Sequence, residues 1–247
     1  MPGIKTVICG HCGRETPVKP PIEITASNIL LVEGEDECAF IDKLVDSQFP
    51  GERMGFDLFA VGGKDRFSAA MNGLTPRTDF MQVKTVAIIR DADKDWRAAF
   101  HKIQSVIQSI NNNNPDRRFP IPKNPDSFAN LGNRRIGVFI MPGGKRNGML
   151  EDLVLESVVR HDIFPCIRSY LDCLAGTLKK KRIDDPDDNQ FRYFPKNEPK
   201  AYAKALLAAA HEDVYSVGLA AQKGCFDFSH PCFKPLIKFL GEFVASE

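Results

Sequence analysis

The apolar positions fall alternately into short unbroken runs and longer stretches at helical spacing. NILLVE (28–33) is a run suited to a strand buried on both faces. In EDECAFIDKLVDSQF, which follows, Phe40, Ile41, Leu44, Val45 and Phe49 line one side of a helix. The alternation recurs: GFDLFAVGG (55–63) predicts a second strand and KDRFSAAMNGL (64–74) a second helix. TVAIIRD (85–91) predicts a third strand, and DWRAAFHKIQSVIQSI (95–110) a third helix with Ala99, Ile103, Val106, Ile107 and Ile110 along one side. IGVFIMP (136–142) and GMLEDLVLESVV (148–159) supply a fourth strand and helix. Strands alternating with helices predict an α/β fold, an open parallel sheet with helices on both faces.

One long interruption stands out. NNNNPDRRFPIPKNPDSFANLGNRR (111–135) is rich in Asn and Pro and predicts a long loop; loops of that length usually serve function or motion. Helical patterns return at 161–175, 198–211 and 230–246, the first two separated by the charged stretch KKKRIDDPDDNQFRYFPKNEP. Three parts are expected: a cysteine-containing head (1–24), the α/β domain (25–160) and a helical C-terminal extension (161–247).

At 247 residues, 43% hydrophobic and 26% charged, the chain has the composition of a globular protein with room for a sizeable core. No apolar run approaches the roughly 20 residues that cross a bilayer, and no secretion-signal pattern opens the chain. The expectation is a cytoplasmic protein without a membrane partner. Seven cysteines, an odd and scattered set, suit reduced thiols better than a disulfide framework. A net charge of +1 argues against a uniformly basic nucleic-acid coat but permits a local basic face.

Two of the apolar runs end in acids. ILLVEGEDE delivers Glu33, Glu35, Asp36 and Glu37; TVAIIRDADKD delivers Asp91, Asp93 and Asp95. Ligands of open parallel sheets sit beyond the carboxyl ends of the strands. Were the first and third strands neighbours, roughly 5 Å apart, Glu33, Asp91 and Asp93 would come within reach of one cation. Crowded carboxylates raise one another's pKa, and Mg²⁺, which prefers oxygen ligands and keeps waters for a substrate phosphate, relieves that conflict. The competing reading is helix capping, which suits Glu35, Asp36 and Glu37.

LLVEGEDE followed at a distance by IIRDADKD resembles the Toprim signature, a glutamate after the first strand and a DxD after the third. The likeness is greatest to a group of small, functionally uncharacterised Toprim-like proteins related to OLD-type nucleases. It extends to PGGKRNGMLEDLVLE and GLAAQKGCFDFSHPCFKPLIKFL, covering roughly residues 27–244. The resemblance implies Mg²⁺-dependent (or Mn²⁺-dependent) phosphodiester hydrolysis on DNA or RNA. Glu33 would act as general base or acid and as metal ligand, with Asp91 and Asp93 as metal ligands. A further acid from the fourth helix, Glu151 or Asp152, would complete a second metal site; Glu156 shares a face with Asp152, and spacing does not select among the three.

Lys145, in PGGKRNG, is a candidate to stabilise charge on the phosphate, with Gly143 and Gly144 allowing close backbone approach. Lys64 holds the equivalent place after the second strand. Arg117, Arg118, Arg134 and Arg135 flank the long loop as candidate nucleic-acid contacts. No tyrosine-bearing cleavage domain of a topoisomerase is present, nor the accessory domains of a replicative primase. No GxxxxGK[ST] occurs, so an ATPase would be a separate partner. Two rivals remain: a non-catalytic Toprim-like regulatory or partner-binding module, and a receiver-like phosphoacceptor. Against the receiver, Glu33 and Asp91 are far apart in sequence and the fourth strand ends in MPGGK.

In the head, CGHCG (9–13) resembles one knuckle of a zinc ribbon. Structural zinc needs four ligands. Cys9 and Cys12 supply two, with Cys225, His230 and Cys232 or a homodimer's second copy as candidate completers. Cys38 and Cys173 are expected in the core.

Overall fold

The computed structural model describes residues 23–51, 55–160, 162–184, 198–210 and 213–245, with two short head strands, β1 (Thr6–Ile8) and β2 (Glu15–Pro17), paired antiparallel. Cys9 and Cys12 lie outside the described residues. The main body begins with β3 (Asn28–Val32), α1 (Glu35–Gln48), β4 (Asp57–Ala60), α2 (Phe67–Leu74), β5 (Thr85–Asp91) and α3 (Trp96–Asn113). It continues with β6 (Ser127–Leu131), β7 (Arg134–Met141), α4 (Leu150–Val158), α5 (Phe164–Asp184), α6 (Glu198–Ala210), α7 (Val217–Gln222) and α8 (Lys234–Val244).

Five strands form one sheet in the order β4-β3-β5-β7-β6, with β4, β3, β5 and β7 parallel. This is the expected α/β architecture with one difference. Within the stretch expected to be a loop, Ser127–Leu131 forms an edge strand antiparallel to β7, so the sheet is mixed. A two-residue hairpin, Gly132-Asn133, joins them, and Gly132 at φ 59 takes the left-handed conformation that such turns need.

Every residue of β3 and β5 is buried, because both faces of the sheet are covered. Side chains alternate between faces. Leu30, Val32, Ala87, Ile89, Phe139 and Met141 meet α1, α4, α7 and α8, while Ile29, Leu31, Val86, Ile88, Val138 and Ile140 meet α2 and α3. The C-terminal helix belongs to the first of these layers: Leu236, Phe239, Leu240 and Phe243 are all buried there. Phe239 stacks on Phe128 at 4.7 Å and also meets Phe139. Of the cysteines expected in the core, Cys38 is half-buried and Cys173 is exposed. Among the described residues no helix is long and apolar enough to cross a membrane.

Candidate functional site

Because β3, β5 and β7 run parallel, their carboxyl ends share one rim, and the acids of both motifs stand there. Glu33 follows the last residue of β3, and Asp91 is the last of β5. Glu33 Oε1 accepts a hydrogen bond from the backbone N–H of Asp91 at 3.2 Å. Asp91, buried, accepts through Oδ1 from the N–H of Leu150 at 3.2 Å, the first residue of α4. Strand alternation sends Asp91 towards α4 and Arg90 the other way, where its Nη1 donates to the carbonyl of Ala99 on α3 at 3.1 Å. The buried Arg90 Nε has no hydrogen-bond partner and lies 3.7 Å from Glu33 Oε1.

Burial dominates the electrostatics. It pushes the Glu33 carboxyl up to about 7, against the lowering effects of the Asp91 N–H and the Arg90 charge. It holds Asp91 well above the usual carboxylate range, helped by repulsion from Glu33, Glu37 and Glu151. Glu151 is likewise raised by burial, partly offset by Lys200.

The other candidates divide. Asp93, at φ 52, exchanges backbone hydrogen bonds with Gly148 and pairs with Lys64 at 2.6 Å. Lys64 therefore reaches the acid rim. Glu151 pairs with Lys200 at 3.6 Å, and Asp152 caps α4 by accepting from the N–H of Met149 at 2.9 Å. Glu156 pairs with Arg146 at 2.9 Å. Lys145 stands in the loop after β7, its Nζ 6.0 Å from the Trp96 ring. Gly143 in that loop has φ 95, and a Cβ there would meet the Phe139 ring at 2.7 Å, so this glycine serves the turn itself.

The arginines gather elsewhere. Arg134 and Arg135 begin β7, the end opposite the acids and roughly 20 Å of strand away. Arg134 lies over Phe119 and donates to the Arg117 carbonyl at 2.6 Å. Arg135 lies 4.0 Å over Phe128 and donates to the Glu242 carbonyl at 2.7 Å. Arg118 is exposed. These four are not brought to Glu33 and Asp91.

Several residues that position the site were not singled out by sequence. Asp126 accepts from the N–H groups of Ile140 and Gly144, at 3.1 and 2.8 Å, fixing the loop that carries Lys145. Asn147 accepts from the Trp96 N–H at 3.0 Å and donates to the Lys94 carbonyl at 2.7 Å, holding that loop to the start of α3. Arg90 did leave a signal, a charged residue inside a buried apolar run. Beside the rim lies a cleft of about 910 Å³ lined by Lys64, Arg90, Asp93, Lys102, Asn147 and Asp152 among others.

The donor set is all oxygen, hard and acidic, which suits Mg²⁺ bound by one or two carboxylates with waters completing its shell. Glu33 and Asp91 fit that description. Among the described residues no group of three or more His, Cys, Asp and Glu is arranged to hold a metal ion. His230 and Cys232 form a local turn, Nδ1 to Sγ 3.0 Å, and burial pushes the Cys232 thiol up to about 11.

A family model described as a protein of unknown function, DUF3226, matches residues 27–245. The chain belongs to that family. No curated protein matches it. Among solved structures, the C-terminal region of the Xanthomonas campestris pv. campestris OLD protein is similar at 15% identity, over 89% of this chain and 97% of that one, with a TM-score of 0.43. The C-terminal region of the Burkholderia pseudomallei OLD protein is similar at 14% identity, over 89% and 99%, with a TM-score of 0.44. At such scores neither likeness carries residue roles across.

Proposed function

We propose that this protein hydrolyses phosphodiester bonds in a nucleic acid, using a divalent ion, Mg²⁺ or Mn²⁺, held by Asp91 and Glu33. The observation that carries the reading is the placement of Glu33 and Asp91 at the ends of neighbouring strands, with the Glu33 carboxylate on the Asp91 backbone N–H. Both are held above their ordinary range by burial, so charging them unaided is costly. A divalent ion offsets that cost. The resemblance of the same two segments to the Toprim signature points the same way.

The roles follow from position. Asp91, fixed by the Leu150 N–H, presents an oriented carboxylate. Glu33, tied to the Asp91 N–H, stands beside it as the second oxygen ligand. Lys64 holds Asp93 through Oδ2; were an ion to draw Asp93 away, that ammonium would be available to a phosphate oxygen. Lys145 stands on the loop after β7, at the same rim. The ion, when bound, supplies an activated water and neutralises charge on the phosphate.

A second reading rests on a specific observation: Lys64 neutralises Asp93 and Lys200 neutralises Glu151 from within the chain. That favours a non-catalytic module that binds a partner. Labelled DNA and RNA incubated with wild type, Glu33→Ala and Asp91→Ala, with Mg²⁺, Mn²⁺ or EDTA, separate the two. Hydrolysis predicts ion-dependent cleavage by wild type, reduced at least about 100-fold in both variants. Absence of cleavage under every ion condition favours the binding module, and cleavage surviving both substitutions refutes the assignment.

A further inference from the structure

Glu151 lies in the first turn of α4, Asp36 and Glu37 lie in the first turn of α1, and Asp91 ends β5. Acids are favoured at helix N-termini, but here two acidic N-termini face each other, and Asp36 and Glu37 both raise the Glu151 carboxyl. One cation of the chain itself enters this group. Lys200 Nζ lies 3.6 Å from Glu151 Oε1; the lysine side chain is 49% exposed and the glutamate 14%. Burial alone would lower the Lys200 ammonium's pKa, yet Glu151, Asp91 and Glu37 together raise it.

Packing fixes the helix that carries the lysine. On α6, Ala203 and Leu207 follow Lys200 by three and seven residues, on the same helix face, and both are buried in the core shared with α4. Lys200, Glu151, Asp36, Lys204 and Ser216 line a cavity of about 210 Å³. That is room for several waters around an ion. A tethered ammonium is present at an effective concentration on the order of millimolar or above, so a free ion must displace it to enter.

We propose that Lys200 is the resident cation of the Glu151 acid group, occupying the place a second divalent ion would take; this rests on the divalent-ion reading of Asp91 and Glu33. Glu151 is then a charge partner of lysine, and the divalent ion of the intact protein belongs to the Glu33–Asp91 side alone. An ammonium brings charge without coordination geometry, so the α4 side contributes electrostatics and no activated water.

The test counts Mn²⁺ ions bound per chain, from the loss of the free aqueous Mn²⁺ electron paramagnetic resonance signal. Wild type, Lys200→Arg, Lys200→Met and the double variant Lys200→Met, Glu151→Gln are compared. Lys200→Met is expected to bind one more ion than wild type, Lys200→Arg the same number, and the double variant to lose the extra ion. Lys200→Gln replaces Lys200→Met should the latter fail to fold. A Lys200→Met count equal to wild type overturns the proposal, as does an extra ion that persists without Glu151. The hydrolase reading is scored separately, by whether wild type binds an ion that Asp91→Asn removes. An extra ion in Lys200→Met supports the lysine's role even where wild type binds none.

Discussion

Glu33 Oε1 accepts the backbone N–H of Asp91 at 3.2 Å, tying together the ends of two neighbouring parallel strands. The bond fixes the first carboxylate against the base of the second. It also takes up one lone pair of Glu33 while the surrounding core strips most of the water from the rest. The burial that builds the sheet thus creates the electrostatic tension at its rim.

That tension has a pH signature. Between pH 4.5 and about 7, a Glu33 carboxyl that titrates at about 7 when folded keeps its proton, while an unfolded one, near the ordinary 4.5, has lost it. The folded state then binds more protons, so stability falls as pH rises from about 4.5 to about 7 and levels off above. The whole effect is on the order of 3 kcal/mol. Urea unfolding in EDTA across this range is expected to show the decline, with a shallower slope in Glu33→Gln. Asp91, Glu151, Asp126 and Asp152, raised likewise, act in the same direction and keep part of the slope in that variant.

The Lys64–Asp93 pair is half-exposed, and such pairs contribute little. Asp93→Asn is expected to change unfolding free energy by less than about 1 kcal/mol. In the hydrolase reading it lowers cleavage by tenfold or more. Equal, large losses of stability and activity would instead mark the pair as structural.

α8 is a wall of the core. Truncating Phe239, which stacks on Phe128 and meets Phe139, is expected to cost about 3–5 kcal/mol, read from the urea midpoint. A loss under about 1 kcal/mol would mean that the helix docks only loosely.

Gly137 lies on β7 where a Cβ would come 2.3 Å from the Phe128 ring. Gly137→Ala should push edge strand β6 outward and destabilise by about 1–3 kcal/mol. Hydrogen exchange of residues 127–131 would report the displacement. Unchanged protection there would contradict it.

Much of this was legible from the chain. NILLV and TVAIIRD carry β3 and β5 because strands buried on both faces need unbroken apolar runs, and the acids after them mark the rim. SFANL was hidden because an edge strand covered on one face carries few apolar residues; the Gly132-Asn133 pair before Arg134 was its available signal. Arg134 and Arg135 were legible as basic but not as remote, since only the strand direction puts them at the opposite end. Lys200 gave no signal at all. Its pairing with Glu151 depends on α6 packing beside α4, a contact that no local pattern encodes.

The central claim is that Asp91 and Glu33 jointly hold a divalent ion. Mn²⁺ affinity of wild type, Asp91→Asn and Glu33→Gln, measured by calorimetry at pH 8, tests it most directly. The account predicts a bound ion in wild type and at least about tenfold weaker binding in each variant, a loss of about 1.4 kcal/mol or more. Binding of the same strength in all three proteins would contradict it.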